Sequence, residues 1–222
     1  MLCDQIISLD IPTLSTQQSV AEGLLVFEDH HLQYLPLLKD GTLVGLVSQA
    51  QLSDLDERES LDTVQVKQLS VHNTQHIYAA LQAVMIAATD LVTVTDSQGA
   101  YLGAITAGGL LQALAILMDI KPGTAYFNGA IITLQMKRQD YSFSQLARII
   151  ESGDANITQL NTYSDPQTEA FWVNIRLDRM EISDIISTLQ RYEYNVVHFW
   201  GNEIYENELR RNYEALMNYL NI

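Results

Sequence analysis

Along the second half of the chain the apolar positions change period from element to element. From Ala130 to Lys137 they alternate, with Ile132, Leu134 and Met136 on one face, and they alternate again through Phe171, Val173, Ile175 and Leu177. A period of two predicts strands buried on one side. Helical spacing appears in two other stretches. Phe143, Leu146, Ile149 and Ile150 form a stripe in a segment opening at Ser142 and ending at Glu151, and Ile182, Ile185, Ile186 and Leu189 do the same within Glu181 to Tyr192. Strands over Asn156 to Tyr163 and Tyr194 to Trp200, with a turn at Asp165-Pro166, complete the order βαββαβ. Beyond Gly201, over residues 202–222, Tyr205, Leu209, Tyr213, Leu216 and Leu220 fall on one side of a predicted C-terminal helix, which needs either its own sheet or a second subunit as packing partner.

The first half is built on a repeat. Gly45-Leu46-Val47-Ser48 matches Gly103-Ala104-Ile105-Thr106, and upstream Val20 and Ala21 match Ile77 and Tyr78 with one residue less between them. The change of offset lies in the turns, Lys39-Asp40-Gly41 against Asp96-Ser97-Gln98-Gly99, where an insertion is tolerated. Each copy reads as helix (Ser19 to Phe27; Gln75 to Ala88), strand (Tyr34 to Leu38; Leu91 to Thr95), turn, strand (Leu43 to Val47; Tyr101 to Ile105) and helix (Gln49 to Leu55; Ala107 to Met118). Asp/Gln-Gly between two apolar runs predicts a hairpin. Units this small cannot each bury a core, so the copies are expected to pack on one another with pseudo-two-fold symmetry. Ser53 to Ser60 between them is an acidic, solvated connector.

These residues carry a resemblance. Leu35-Pro36-Leu37-Leu38 with Asp40-Gly41 and Gly45-Leu46-Val47-Ser48, and more loosely Val92 to Asp96 with Gly103 to Thr106, resemble a tandem pair of CBS domains over residues 1–122, with copies at about 1–57 and 63–120. The βαββαβ segment, 129–200, is ferredoxin-like and looks like an ACT domain. The expected fold class is therefore α/β (α+β), a CBS pair followed by an ACT-like domain, an order similar to that of acetoin-utilisation regulatory proteins. The resemblance implies a regulatory cleft for an adenosine nucleotide or S-adenosylmethionine, with Pro12, Thr13, Tyr34, Pro36, Ser48, Gln51 and Thr106 as candidate ligand-binding residues. Family members place a Ser or Thr, and three residues later an Asp, near ribose and phosphates. Ser48 and Thr106 hold the first position, but Gln51 and Gly109 stand at the second. A glutamine carbonyl replaces part of a carboxylate's acceptor capacity and glycine replaces none, so the Ser48 side is the expected site. The alternative is a dimeric interaction scaffold with degenerate ligand sites, in which Ser48 and Thr106 only cap helices. Amino-acid-binding ACT domains usually carry a Gly in the turn after the first strand. Here that turn is Arg138-Gln139-Asp140-Tyr141-Ser142, where Asp140 and Ser142 read as helix caps.

Composition narrows the function. The 222 residues are 47% apolar and 18% charged, enough for a sizeable core and unlike a disordered chain. The net charge is −15. Residues up to Phe127 hold 4 Lys+Arg against 14 Asp+Glu, and the rest 8 against 13. Without a basic stripe, direct nucleic-acid binding and docking on an anionic membrane are disfavoured, and so is a polyphosphate ligand. Cys3 is the only cysteine, so no internal disulfide forms, and no Cys/His spacing suggests a metal. The start has no basic, apolar and small-residue succession of a signal peptide, and the uncharged run Ser97 to Met118 is broken by four glycines, so a cytoplasmic protein is expected. His30-His31 has no ligand set around it, and no His-Glu-x-x-His or Gly-x-Ser-x-Gly occurs, so the protein reads as a non-enzyme with an unidentified regulated partner. Leu110, Leu111, Leu114, Ile116, Leu117 and Met118 cannot all face one core stripe, which predicts a homodimer.

Overall fold

A computed structural model of the chain describes residues 1–120 and 129–201. The predicted boundary at Lys121-Pro122-Gly123 and the predicted helix over 202–222 lie outside the described residues. The chain divides into two compact units, Met1–Lys121 and Pro122–Ile222.

The front unit contains the repeat. Its first copy runs β1 (Leu14–Ser15), α1 (Val20–His30), β2 (Tyr34–Lys39), β3 (Thr42–Ser48) and α2 (Gln49–Ser53). The second runs β4 (Ser70–His72), α3 (Ile77–Ala87), β5 (Leu91–Thr95), β6 (Tyr101–Thr106) and α4 (Ala107–Leu117). Each makes a three-stranded sheet, β1-β2-β3 and β4-β5-β6, with the short strand parallel to the first hairpin strand. The short strands are absent from the sequence expectation because two or three residues carry no readable period. The turns that leave them for the following helix are nevertheless the same: Ser15 N–H donates to Gln18 Oε1 at 2.7 Å and His72 N–H to Gln75 Oε1 at 2.8 Å. Ser19 and Glu22 close a reciprocal capping box on α1, and His76 Nδ1 accepts from Tyr78 N–H at the start of α3. Asp40 and Gly41, with φ of 49° and 78°, supply the left-handed pair that a tight hairpin turn needs.

Gly45 and Gly103 occupy equivalent places, opposite Leu37 and Val94 and directly after the same β-bulge, at Val44 and Leu102. The reason for glycine is a segment crossing over each. Val66-Lys67 passes over Gly45, where an added Cβ would lie 2.8 Å from the Val66 side chain, and Ile7-Ser8 passes over Gly103, where a Cβ would collide with Ile7. Backbone pairs hold these crossings: Leu46 N–H donates to Lys67 O and Lys67 N–H to Leu46 O at 2.9 and 2.8 Å, while Ser8 and Ala104 exchange theirs at 2.9 and 3.3 Å. Each copy's leading segment is thus lodged on the other copy. Cys3 is fully buried among Ile77, Val84, Ile105 and Leu110 of the second copy, and Leu61 among Val20, Phe27 and Leu52 of the first. Leu46, Leu91 and Ala104 form the seam between them. Burial pushes the Cys3 thiol pKa up, which makes it an inert core residue.

The back unit consists of β7 (Ile131–Met136), α5 (Phe143–Glu151), β8 (Ile157–Ser164), β9 (Phe171–Leu177), α6 (Ser183–Arg191) and β10 (Asn195–Trp200). Its antiparallel sheet has the order β10-β7-β9-β8, the ferredoxin-like arrangement. The predicted inward residues Ile132, Leu134, Val173, Ile175, Ile185, Ile186 and Leu189 are all buried. Phe143 corrects the expected stripe, being 54% exposed. Tyr141, two residues earlier, takes the core place instead and packs on Phe171 with ring centroids 5.2 Å apart. Ser142 accepts from Gln145 N–H as the cap of α5, whereas Asp140 belongs to a separate 3-10 turn, Arg138–Asp140.

Candidate ligand cleft of the front unit

The candidate residues of the first copy gather at one end of its sheet. Tyr34 is directly opposite Ser48 across the β2–β3 ladder, and Pro36 is opposite Leu46. In the parallel β1–β2 pairing Leu14 stands beside Leu37, which brings Pro12-Thr13 alongside the same end of β2. Pro36 also explains why β1 is shorter than β4. In the second copy Ser70 pairs with Thr93, whereas Pro36, at the equivalent place, has no N–H to contribute, and the ladder starts one residue later. Ser48 Oγ accepts from Gln51 N–H at 3.2 Å and caps α2. Its own hydroxyl proton remains to be donated. Gln51 Nε2 donates to Gln65 O at 2.8 Å, leaving the side-chain carbonyl as its remaining acceptor.

Thr106 holds the matching end of the second sheet, opposite Leu91, and caps α4 by accepting from Gly109 N–H at 3.0 Å. The two ends are joined by a run of hydrogen bonds. Gln49 N–H, at the start of α2, donates to Gln33 O at 3.0 Å; Gln33 N–H donates to Asp90 Oδ2 at 2.6 Å; and Ala107 N–H, at the start of α4, donates to Asp90 O at 2.7 Å. Asp90 Oδ1 and Thr89 Oγ1 are buried with no hydrogen-bond partner among the described residues, so this junction offers oxygen atoms to a donor. Lys67 brings the cation: its Nζ lies 5.2 Å from the Tyr34 ring centroid and donates to Ala87 O at 2.8 Å.

Lys67, Thr89 and Asp90 were not among the residues expected from sequence. Lys67 arrives through the crossing over Gly45, and Thr89-Asp90 becomes visible only when the repeat offset sets it against Leu32-Gln33. Both signs of charge meet at this junction, the Lys67 ammonium beside Tyr34 and the Asp90 carboxylate on the neighbouring Gln33 N–H. Tyr101, whose buried hydroxyl has no partner among the described residues and whose pKa burial raises to about 12, lies at the opposite end of its strand and takes no part. Among the described residues no group of three or more His, Cys, Asp or Glu is placed to hold a metal ion, and no helix is long and apolar enough to cross a membrane.

The front unit has the fold of a CBS pair, and the back unit is the ferredoxin-like, ACT-like βαββαβ sandwich. The CBS domain family matches residues 3–56 of the chain. Comparison with curated proteins gave no match. Among solved structures, a CBS domain pair/ACT domain protein from Thermotoga maritima is 22% identical with a TM-score of 0.50, over 53% of this chain and 99% of that one. CBSX2 in complex with AMP is 19% identical with a TM-score of 0.47, over 53% and 98%. The CBS domain of a bacterial CNNM/CorC family Mg2+ transporter in complex with ATP is 13% identical with a TM-score of 0.45, over 52% and 87%. At such identities the likeness is one of fold.

Proposed function

We propose that the protein is a non-enzymatic, small-molecule-sensing regulatory module of the cytoplasm, and that an adenosine-type ligand occupies the Tyr34–Ser48 end of the front unit. The observation that carries this reading is the convergence there of an aromatic ring, a free hydroxyl proton, an amide carbonyl and the Lys67 ammonium. A ribose needs acceptors and donors, a base needs an apolar or aromatic wall, and a phosphate needs a cation. With one lysine beside Tyr34 and the Asp90 carboxylate on the adjacent Gln33 N–H, a single phosphate or an adenosyl group without phosphate fits better than a triphosphate. AMP and S-adenosylmethionine are therefore the first ligands to try. The Gln33–Asp90 run gives ligand binding at one end a route to the start of the helix at the other, where a regulated partner protein would sense it. The domain order, which resembles that of acetoin-utilisation regulatory proteins, would suit such a role.

Thermal denaturation of the whole chain with AMP, ATP, S-adenosylmethionine and free amino acids tests the reading. A ligand at a hundred times its dissociation constant adds about 2.7 kcal/mol of stability. Ser48→Ala and Lys67→Ala should each weaken it and Thr106→Ala should not. No shift with any adenosine compound would leave the second reading, an interaction scaffold with degenerate sites. The capping roles of Ser48 and Thr106 favour that second reading, since both hydroxyl oxygens already have a structural use.

We further propose a homodimer formed through the outer face of α3 and α4. Met85 and Ile86 on α3 are 72% and 78% exposed, and Leu111 and Ile116 on α4 are 70% and 65% exposed. So much apolar surface on neighbouring helices favours burial against a second copy. Leu114 is only partly exposed and packs on the core of its own copy, so it is a poor probe of that contact.

A further inference from the structure

The back unit has a groove unconnected with the reading above. It measures about 890 Å³ and runs between α5 and α6 on the helical side of the sandwich. Ile149, 5% exposed, lies at its floor, and the exposed ring of Tyr192 forms one wall. Arg148 from α5 and Arg191 from α6 both line it, with the hydroxyls of Ser144, Ser152 and Thr188 between them. None of its lining residues is acidic, although the chain has 27 Asp+Glu against 12 Lys+Arg.

Arginines on a solvated helix commonly find a carboxylate one turn away. These do not. Glu151, one turn from Arg148, makes no ion pair with it among the described residues, and the Asp184 carboxylate is 3.8 Å from Arg179 instead. Arg191 donates to Thr188 Oγ1 at 3.0 Å, which holds its guanidinium along the groove, and leaves its other N–H groups unused. Charges farther than about 8 Å are largely screened at physiological salt, and the nearer Glu151 and Glu193 make no ion pair with either arginine among the described residues, so both guanidinium groups stay open to an anion.

We propose that the α5–α6 groove is an anion site for a small organic oxyanion, a phosphate ester or a polycarboxylate. Arg148 and Arg191 would take the oxygens as paired donors, the three hydroxyls would complete the shell, and the body of the ligand would rest on Tyr192 and Ile149. Guanidinium forks bind such groups bidentately, and the volume is that of a small-molecule site.

The test uses the full chain and two probes, inorganic pyrophosphate and citrate, followed by titration calorimetry and by the arginine Nε–H signals in NMR. Saturable binding of at least one probe is expected, shifting the Arg148 and Arg191 signals. Which probe binds tells phosphate from carboxylate chemistry. R148Q and R191Q should each weaken binding by about tenfold or more, and R148K should not restore it, because an ammonium cannot fork. Both arginines are exposed, so these variants should melt like the parent. S48A and K67A should leave the affinity unchanged, which separates this site from the front cleft. Absence of saturable binding by either probe, or binding indifferent to both arginines, would overturn the proposal.

Discussion

The two copies of the repeat share a backbone and differ in what they show to the outside. In the first, the outer helix α1 exposes one large apolar side chain, Leu25 at 61%, and α2 is a short polar turn. In the second, α3 and α4 expose Met85, Ile86, Leu111 and Ile116. At the inner ends the contrast runs the other way. The first copy offers Tyr34, Ser48 and Gln51, with Lys67 laid beside them by the crossing segment, while the second offers Thr106, a glycine, and the unpartnered oxygens of Thr89 and Asp90. Duplication leaves the interior constraints equal, since both copies must fill a core and seat a crossing segment. It frees the outside to diverge, so one copy can carry ligand chemistry and the other assembly.

The comparison breaks most severely if the crossings are removed. Deleting residues 2–9 takes Cys3 and Ile7 from the second copy's core and Ser8 from the Ala104 pairing, while every residue of the first copy's own cluster stays. Loss of protected amides in β5 and β6 ahead of β2 and β3 is expected by hydrogen exchange, and equal loss in both would mean that the copies do not differ in this dependence. Next come the glycines. Gly103→Ala forces a Cβ into Ile7 at a φ of 143°, and Gly45→Ala meets Val66 at a φ of 156°. Each should cost about 2–4 kcal/mol in denaturant unfolding, with Gly103→Ala the costlier.

Leu111→Glu tests the outer faces. At micromolar concentration it should turn a sedimenting dimer into a monomer whose denaturation midpoint no longer depends on protein concentration, whereas Leu25→Glu should leave the dimer intact. A parent chain sedimenting near 25.0 kDa would end the assembly proposal. Smaller still are the caps: Ser48→Ala and Thr106→Ala should each cost about 1 kcal/mol without ligand. Ligand should widen the Ser48 difference alone. The mildest effect comes from the back unit. The Asn156 N–H and side-chain amide hold the Asp178 carboxyl below the ordinary carboxylate range. A lowered folded-state pKa contributes stability that is full above the ordinary value and lost as pH falls through the lowered one. Asp178→Asn should therefore flatten the acid limb of the stability curve slightly, and an unchanged limb would refute the assignment.

Much of this architecture was legible in the sequence because it rests on short-range rules. Gly45 and Gly103, the turn residues and the alternating strands each signal locally, and the inward faces of β7 and β9 follow from period alone. What escaped depends on distance along the chain. The strands β1 and β4 are too short to have a period, and the crossings are held by backbone groups that any residue supplies. Lys67, Asp90 and the pairing of Arg148 with Arg191 across a groove gain meaning only from what folding brings beside them. Phe143 was misplaced for a related reason, because Tyr141 competes for the same core position and a helical spacing rule cannot see it.

The crossing of Ile7-Ser8 over Gly103 also sets a timetable. Ser8 leaves the ribosome roughly 100 residues before its partner Ala104, about 5–20 s at ordinary rates of translation. The first copy is completed by Leu61 and Lys67, which leave the ribosome soon after its own hairpin. The second must wait for its own hairpin while the Cys3–Ser8 segment stays unpaired and the Cys3 thiol open to solvent. Throughout that interval the first copy lacks the cover of Leu91 and Ala104 over Leu46, and only the arrival of β6 closes the unit.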